Sequence, residues 1–244
     1  MAKGPFHFKT FTVEQDGAAM KVGMDGIVLG CWSPIDGVKK VMDIGSGNGY
    51  VGIMLLQRME PGGQLIGVEL EPAAAAQSAE NYLKQPFPAA AQSWHGPIQK
   101  AHETHPEWEG SFDLIVSNPP FFKSKPKSTN AARNLARHDD TLSMGDLVKA
   151  ASKLIREGGR LCTIWPSDRL EEWNEWAYGY GFAIQQTVHI HTMRHLAPKR
   201  ILSEWLKTEA PVSTRTSTLT LEGKATLDFT DEYLEIVRPY LKGT

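Results

Sequence analysis

Between residues 41 and 165 the chain alternates short apolar runs with longer stretches whose apolar positions recur at helical spacing. The runs are Val41-Met42-Asp43-Ile44, then 64–69 (QLIGVE), 112–116 (FDLIV) and 159–165 (GRLCTIW), with 90–94 a weaker one. They lack the strict polar alternation of a strand wetted on one face, so each reads as a strand covered on both sides. Residues 50–58, 72–83 and 142–156 carry the helical period. Pro72 opens the second helix where its missing N–H costs nothing, and Gly158-Gly159 is expected to close the third. Alternation of this kind predicts an α/β fold, a mostly parallel sheet with helices on both faces.

Beyond this region, 168–180 reads as a helix, and 182–189 and 200–207 as β-rich runs joined by a polar connection, which predicts an antiparallel final hairpin. Ahead of it, Phe6 to Val13 alternates apolar with polar and 25–32 reads as a short helix. Residues 211–225, rich in Ser and Thr, are expected to form a mobile loop, and 231–241 a helix capped by Thr230 or Asp231. The whole reads as a single domain over 1–244, divided into an N-terminal annex (1–40), a core (41–210) and a C-terminal tail and helix (211–244).

Composition narrows the classes. With 244 residues, 41% of them hydrophobic, the chain is long enough for a full core. Its formal net charge of −2 gives no global basic field, so a polyanionic partner would have to be held by local patches. Cys31 and Cys162 lie far apart, the second inside an apolar run, which speaks against a disulfide framework and against thiolate metal binding. His189-Ile190-His191 lacks third and fourth ligands, so no metal is expected. No signal core and no run of about 18 apolar residues is present, and the expectation is a soluble cytoplasmic protein without a membrane partner.

Candidate chemistry begins with Asp43-Ile-Gly45-Ser-Gly47-Asn-Gly49, directly after a strand and before a helix. Glycines there let backbone approach a ligand closely. The spacing is not the G-x-G-x-x-G of a dinucleotide loop. An aspartate pointing at the loop would repel a phosphate but suit a cation such as the sulfonium of S-adenosylmethionine. Glu69, at the end of the next strand, stands where a carboxylate accepts ribose hydroxyls, and Glu71 is a competing candidate. The fourth run then delivers Ser117-Asn118-Pro119-Pro120-Phe121-Phe122 to the strand ends where open parallel sheets bind ligands. Pro119 and Pro120 fix the backbone and remove two donors, leaving a rigid, acceptor-rich loop. The Asn118 side-chain oxygen and the Pro119 carbonyl would accept both hydrogens of a nucleobase amine and leave its lone pair toward a methyl donor. Phe121 offers a face on which an unstacked base can rest.

DIGSGNG, VELE (residues 68–71) and NPPF, in that order and spacing, resemble the class I S-adenosylmethionine-dependent methyltransferases that carry the amino-methylating tetrapeptide. AMKVGMDG (residues 19–26), followed by IVLGCW and much later by PKRIL (residues 198–202), is similar to the tRNA(Val) adenine-37 N6-methyltransferase family. The resemblance implies a seven-stranded Rossmann-like sheet, S-adenosylmethionine as cofactor and methylation of an anticodon-loop adenine in tRNA, with no obligate protein partner evident. It implies that Asp43, Gly45, Gly47 and Glu69 hold the cofactor and Asn118, Pro119, Pro120 and Phe121 the adenine. Asn118 also borders the cofactor, and Lys21 and Asp25 lie over its methionine end. Where relatives commonly carry threonine in the KVGTDG stretch, this chain has Met24. Where they present an acid after the third strand, it reads Trp94-His95-Gly96-Pro97-Ile98. Guanine in rRNA and glutamine in protein are acceptors for enzymes with the same tetrapeptide, and the motif alone leaves the three open.

Lys123, Lys125, Lys127, Arg133 and Arg137 follow the tetrapeptide with no acid from Lys123 through Arg137. Lys199 and Arg200 form a second basic site, joined by Arg194 and three histidines. Both patches are candidate contacts for RNA phosphates.

Overall fold

The computed structural model describes residues 4–119 and 142–243. Its centre is one eight-stranded sheet. The strands are β3 (Lys40–Ile44), β4 (Gln64–Glu69), β5 (Ala90–His95), β6 (Phe112–Ser117), β7 (Ile155–Pro166), β8 (Phe182–Met193), β9 (Arg200–Lys207) and β10 (Arg215–Glu222), in the spatial order β10-β8-β9-β7-β6-β3-β4-β5. Only β9 runs against its neighbours, pairing antiparallel with β7 on one side and β8 on the other. Strands β1 (Phe6–His7) and β2 (Thr12–Val13) form a separate small hairpin.

Helices cover both faces because the buried strands have no polar side to show to water. One face packs on α1 (Met24–Trp32), α2 (Tyr50–Leu56), α3 (Pro72–Leu83) and α7 (Asp231–Val237) through a core that includes Val28, Ile53, Tyr82, Leu219 and Val237. The other packs on α4 (Ala101–Thr104), α5 (Met144–Leu154) and α6 (Leu170–Gly179) through Leu147, Trp173 and Trp205, all fully enclosed. The annex joins the first core by Phe8 and Phe11. It is also clasped from far along the chain: Lys9 N–H donates to Tyr240 O at 2.7 Å, its ammonium to Arg238 O, and the Tyr240 hydroxyl to Met54 O.

Three sequence expectations change. The sheet has eight strands where the resemblance implies seven, and the additional one, β10, lies inside the Ser/Thr-rich stretch expected to be a loop. Its polar residues mislead because it is an edge strand: Thr216 and Thr218 face water while Leu219 and Leu221 face the core. Gly158-Gly159 does not close α5, which ends at Leu154; the chain enters β7 at Ile155 and the glycines sit in a bulge, where Phe112 opposes Ile155 but Leu114 opposes Arg160. Gly158, at φ 72°, supplies the left-handed kink. Of the two cap candidates for α7 it is Thr230 whose hydroxyl accepts from Tyr233 N–H.

Candidate active site

Strand order reverses at β3: the chain passes outward through β4 and β5, then returns to β6 on the opposite side of β3. The carboxyl ends beside such a switch point form the crevice in which open α/β sheets hold ligands. Register makes this crevice precise. Ile44 lies opposite both Val68 and Ser117, so the next residues, Gly45, Glu69 and Asn118, leave three neighbouring strands at one level. Strands spaced about 4.8 Å apart put the backbones of Glu69 and Asn118 roughly 10 Å from one another on either side of Gly45. Ser117 Oγ locks the β3–β6 end by donating to Ile44 O at 2.7 Å.

The loop itself is built on left-handed glycines, with φ 74° at Gly45, 57° at Gly47 and 85° at Gly49. A Cβ at Gly49 would strike the Tyr82 ring at 2.7 Å, whereas at Gly45 or Gly47 it would meet nothing within 4 Å. Gly49 therefore serves packing, and the other two border open space where a ligand fits. Asn81, fully buried, holds the loop to the annex by donating to Asn48 O and Glu14 O.

Asp43 is 2% exposed, and its carboxylate accepts from Gly52 N–H at 3.1 Å. Gly49, the N-cap of α2, has no side chain, so Asp43 satisfies one of that helix's orphan donors instead. Burial, opposed by the Gly52 hydrogen bond and reinforced by the Glu69 charge, pushes its pKa up to about 7. Glu69 stands at the loop, one oxygen accepting from Gly47 N–H at 2.8 Å and the other from Leu70 and Glu71 N–H. Glu71 caps α3 through Ala74 N–H, which separates the two acids by role. His95 lies beside them, its Nε2 3.1 Å from Leu70 O.

Asn118 is half-buried, and its Oδ1 has no hydrogen-bond partner among the described residues. Pro119 follows it, buried; Pro120 and Phe121, like Lys123, Lys125, Lys127, Arg133 and Arg137, lie outside the described residues. Lys21 does not open toward the crevice: its ammonium donates to Gln15 O and Ala18 O, closing a turn of the annex. Asp25 and Arg200, assigned by sequence to cofactor and RNA, meet in an ion pair with Arg200 Nε 2.8 Å from Asp25 Oδ2. Lys199 is exposed, with its backbone held by Ile190 and Ser167. Farther along the same rim, Arg194, His195 and Lys224, with Glu222 and Glu232, line a groove of about 760 Å³. Among the described residues no cluster of His, Cys, Asp or Glu could hold a metal ion, and no helix is long and apolar enough to cross a membrane.

The architecture has relatives. The model of the methyltransferase small domain matches residues 33–171. The tRNA1(Val) (adenine(37)-N6)-methyltransferase of Porphyromonas gingivalis is 36% identical over 96% of this chain and 94% of that protein, and the one from Trichodesmium erythraeum is 36% identical over 99% and 100%. The chain belongs to this methyltransferase family. The fold of this family member also matches a solved structure, a predicted O-methyltransferase from Agrobacterium tumefaciens, with TM-score 0.70 and 19% identity over 88% of this chain and 96% of that one.

In this family member the sequence missed two contributors at the crevice. Tyr50, the first residue of α2, sends its hydroxyl to Gly23 O at 3.2 Å, into a notch where a Cβ at Gly26 would fall 1.8 Å from it. Tyr82 lies under the loop, where a Cβ at Gly67 would fall 2.4 Å from its hydroxyl. Both occupy apolar helix positions in the sequence, which is how core tyrosines read. Only the glycines facing them, Gly26 and Gly67, carry a trace of their position.

Proposed function

We propose that this protein transfers a methyl group from S-adenosylmethionine to the exocyclic N6 amine of an adenine in tRNA, with adenine 37 of tRNA1(Val) as the acceptor. The observation that carries the reading is the unpartnered Asn118 Oδ1, level with the open Gly45-Gly47 loop and Glu69. The names of relatives more than a third identical over nearly the whole chain support the same acceptor.

The residues present fit the cofactor. Gly45 and Gly47 leave space for close approach, Glu69 offers a carboxylate to a ribose, and Asp43 holds the loop in shape from below. When bound, S-adenosylmethionine supplies an electrophilic methyl group. Asn118 Oδ1 and the Pro119 carbonyl then accept the two amine hydrogens. This draws the nitrogen toward a tetrahedral shape, and its lone pair, otherwise delocalised into the ring, becomes available. Phe121 gives the extruded base a stacking face, worth about 1–3 kcal/mol. Catalysis rests on position and orientation. The basic residues of 123–137, by sequence, and Lys199 and the Arg194–Lys224 groove, by their place at the strand ends, are suited to RNA phosphates.

The direct test is transfer of labelled methyl groups into unmodified tRNA transcripts, followed by digestion and mass identification of the nucleoside. N6-methyladenosine confined to tRNA(Val) is expected. N2-methylguanosine, or label only in added protein, would replace the acceptor with one of the alternatives served by the same tetrapeptide. Asn118→Ala should abolish turnover and leave S-adenosylmethionine affinity nearly unchanged; equal activity would remove Asn118 from the chemistry.

A further inference from the structure

We infer that the groove between the carboxyl ends of β8 and β10 is a second RNA site, which grips the backbone of a folded tRNA away from the reacting base and sets affinity without entering the chemistry; the inference rests on the tRNA reading above. Strand β7 runs parallel to β6 and antiparallel to β9, and β9 runs antiparallel to β8, so β8 and its parallel neighbour β10 end on the rim that carries Asn118. With β7 and β9 in between, and about 4.8 Å from strand to strand, the end of β8 stands roughly 14 Å and that of β10 roughly 19 Å from the end of β6. An adenine held at Asn118 does not reach that far. The chain that carries it does, several nucleotides away.

The charges along this rim fall into two sets. Arg200 is paired with Asp25. Lys199, just before β9, and Arg194 and Lys224, in the turns after β8 and β10, are exposed, and none of the three is ion-paired among the described residues. They stay unpaired although two acids line the same groove. Glu222 is buried and committed to its own turn, its Oε1 accepting from Leu227 N–H at 2.9 Å. Glu232 stands in the first turn of α7, where the positive end of the helix offsets a negative charge. The cations are left for a ligand, and a polyanion leaving the crevice along the rim meets Lys199, Arg194 and Lys224 in turn. Thr218 and Thr220, on the face of β10 that lines the groove, add hydroxyls that can donate to phosphate or accept from a ribose 2′-OH. The threonines that disguise β10 as a loop in the sequence form its RNA-facing side.

The test is an Arg194→Ala/Lys224→Ala double variant, at two exposed positions whose replacement leaves the core untouched. With full-length unmodified tRNA transcript, KM should rise about tenfold while kcat stays within about twofold, and the slope of log Kd against log salt, from filter binding, should fall by about 2. With an oligonucleotide of the anticodon loop alone, too short to reach the groove, the penalty on KM should shrink below about twofold. Arg194→Lys/Lys224→Arg, which keeps both charges, should restore tRNA affinity. An unchanged tRNA Kd and salt slope in the alanine variant would overturn the inference. So would an equal penalty on the short oligonucleotide, since the groove would then act on the enzyme and not on distant RNA. Both results leave wild-type methylation of tRNA standing. A wild-type protein that labels only protein would remove the tRNA reading itself, and this inference with it.

Discussion

Asp43 under the glycine loop ties the stability of the ligand-free protein to pH. Its carboxyl holds a proton up to about pH 7 in the fold but only to about 4 in an unfolded chain. Between those values the folded state binds the extra proton, so ionising Asp43 progressively destabilises the fold as pH rises, and below about pH 4 the effect is absent. Asp43→Asn keeps an oxygen for Gly52 N–H and abolishes the charge. The variant should therefore gain stability relative to wild type on going from pH 5 to pH 8, by an amount on the order of a few kcal/mol. Thermal melting at the two pH values checks it, and a pH-independent difference would show that Asp43 is not the titrating group. At this scale the sequence was informative where residue type is unusual. Asp before a glycine loop, or Asn before two prolines, has few other uses. It was silent where an ordinary residue matters by location, as Tyr82 does against Gly49 and Gly67; and it could not show that the Asp43 carboxylate accepts from Gly52 N–H, because that bond depends on how the loop folds back.

Among the elements, β10 offers the sharpest test of register. Leu219 is 3% exposed against α7, and its neighbour Thr218 faces water. Leu219→Ala should cost about 2–4 kcal/mol in chemical denaturation, and Thr218→Ala no more than about 0.5. Comparable losses would mean the strand is turned over. The Asp25–Arg200 pair joins the first turn of α1 to the start of β9, but both side chains are about a third exposed, at 34% and 32%. A double-mutant cycle should give a coupling below about 1 kcal/mol that shrinks with added salt. The parallel strands were legible because burial on both faces writes continuous apolar runs. Strand β10 was not, because an edge strand with one wet face made of threonine has the composition of a loop, and its pairing with β8 is a contact that local pattern does not encode.

The whole molecule carries a net charge of −2, so tRNA would be attracted to its rim alone. If four phosphates are neutralised there, affinity should drop about a hundredfold between 50 and 200 mM salt, as measured by filter binding. A flat response would favour an acceptor other than nucleic acid. The clasp of Tyr240 and Arg238 on Lys9 has a consequence for biosynthesis. The annex leaves the ribosome more than two hundred residues before the backbone that secures it. Until then Phe8 and Phe11 lack part of the core they share with Tyr233, Val237 and Tyr240. A message cut short anywhere upstream of that helix would yield a chain with its earliest aromatic residues unshielded, open to the chaperones and proteases that sort unfinished protein.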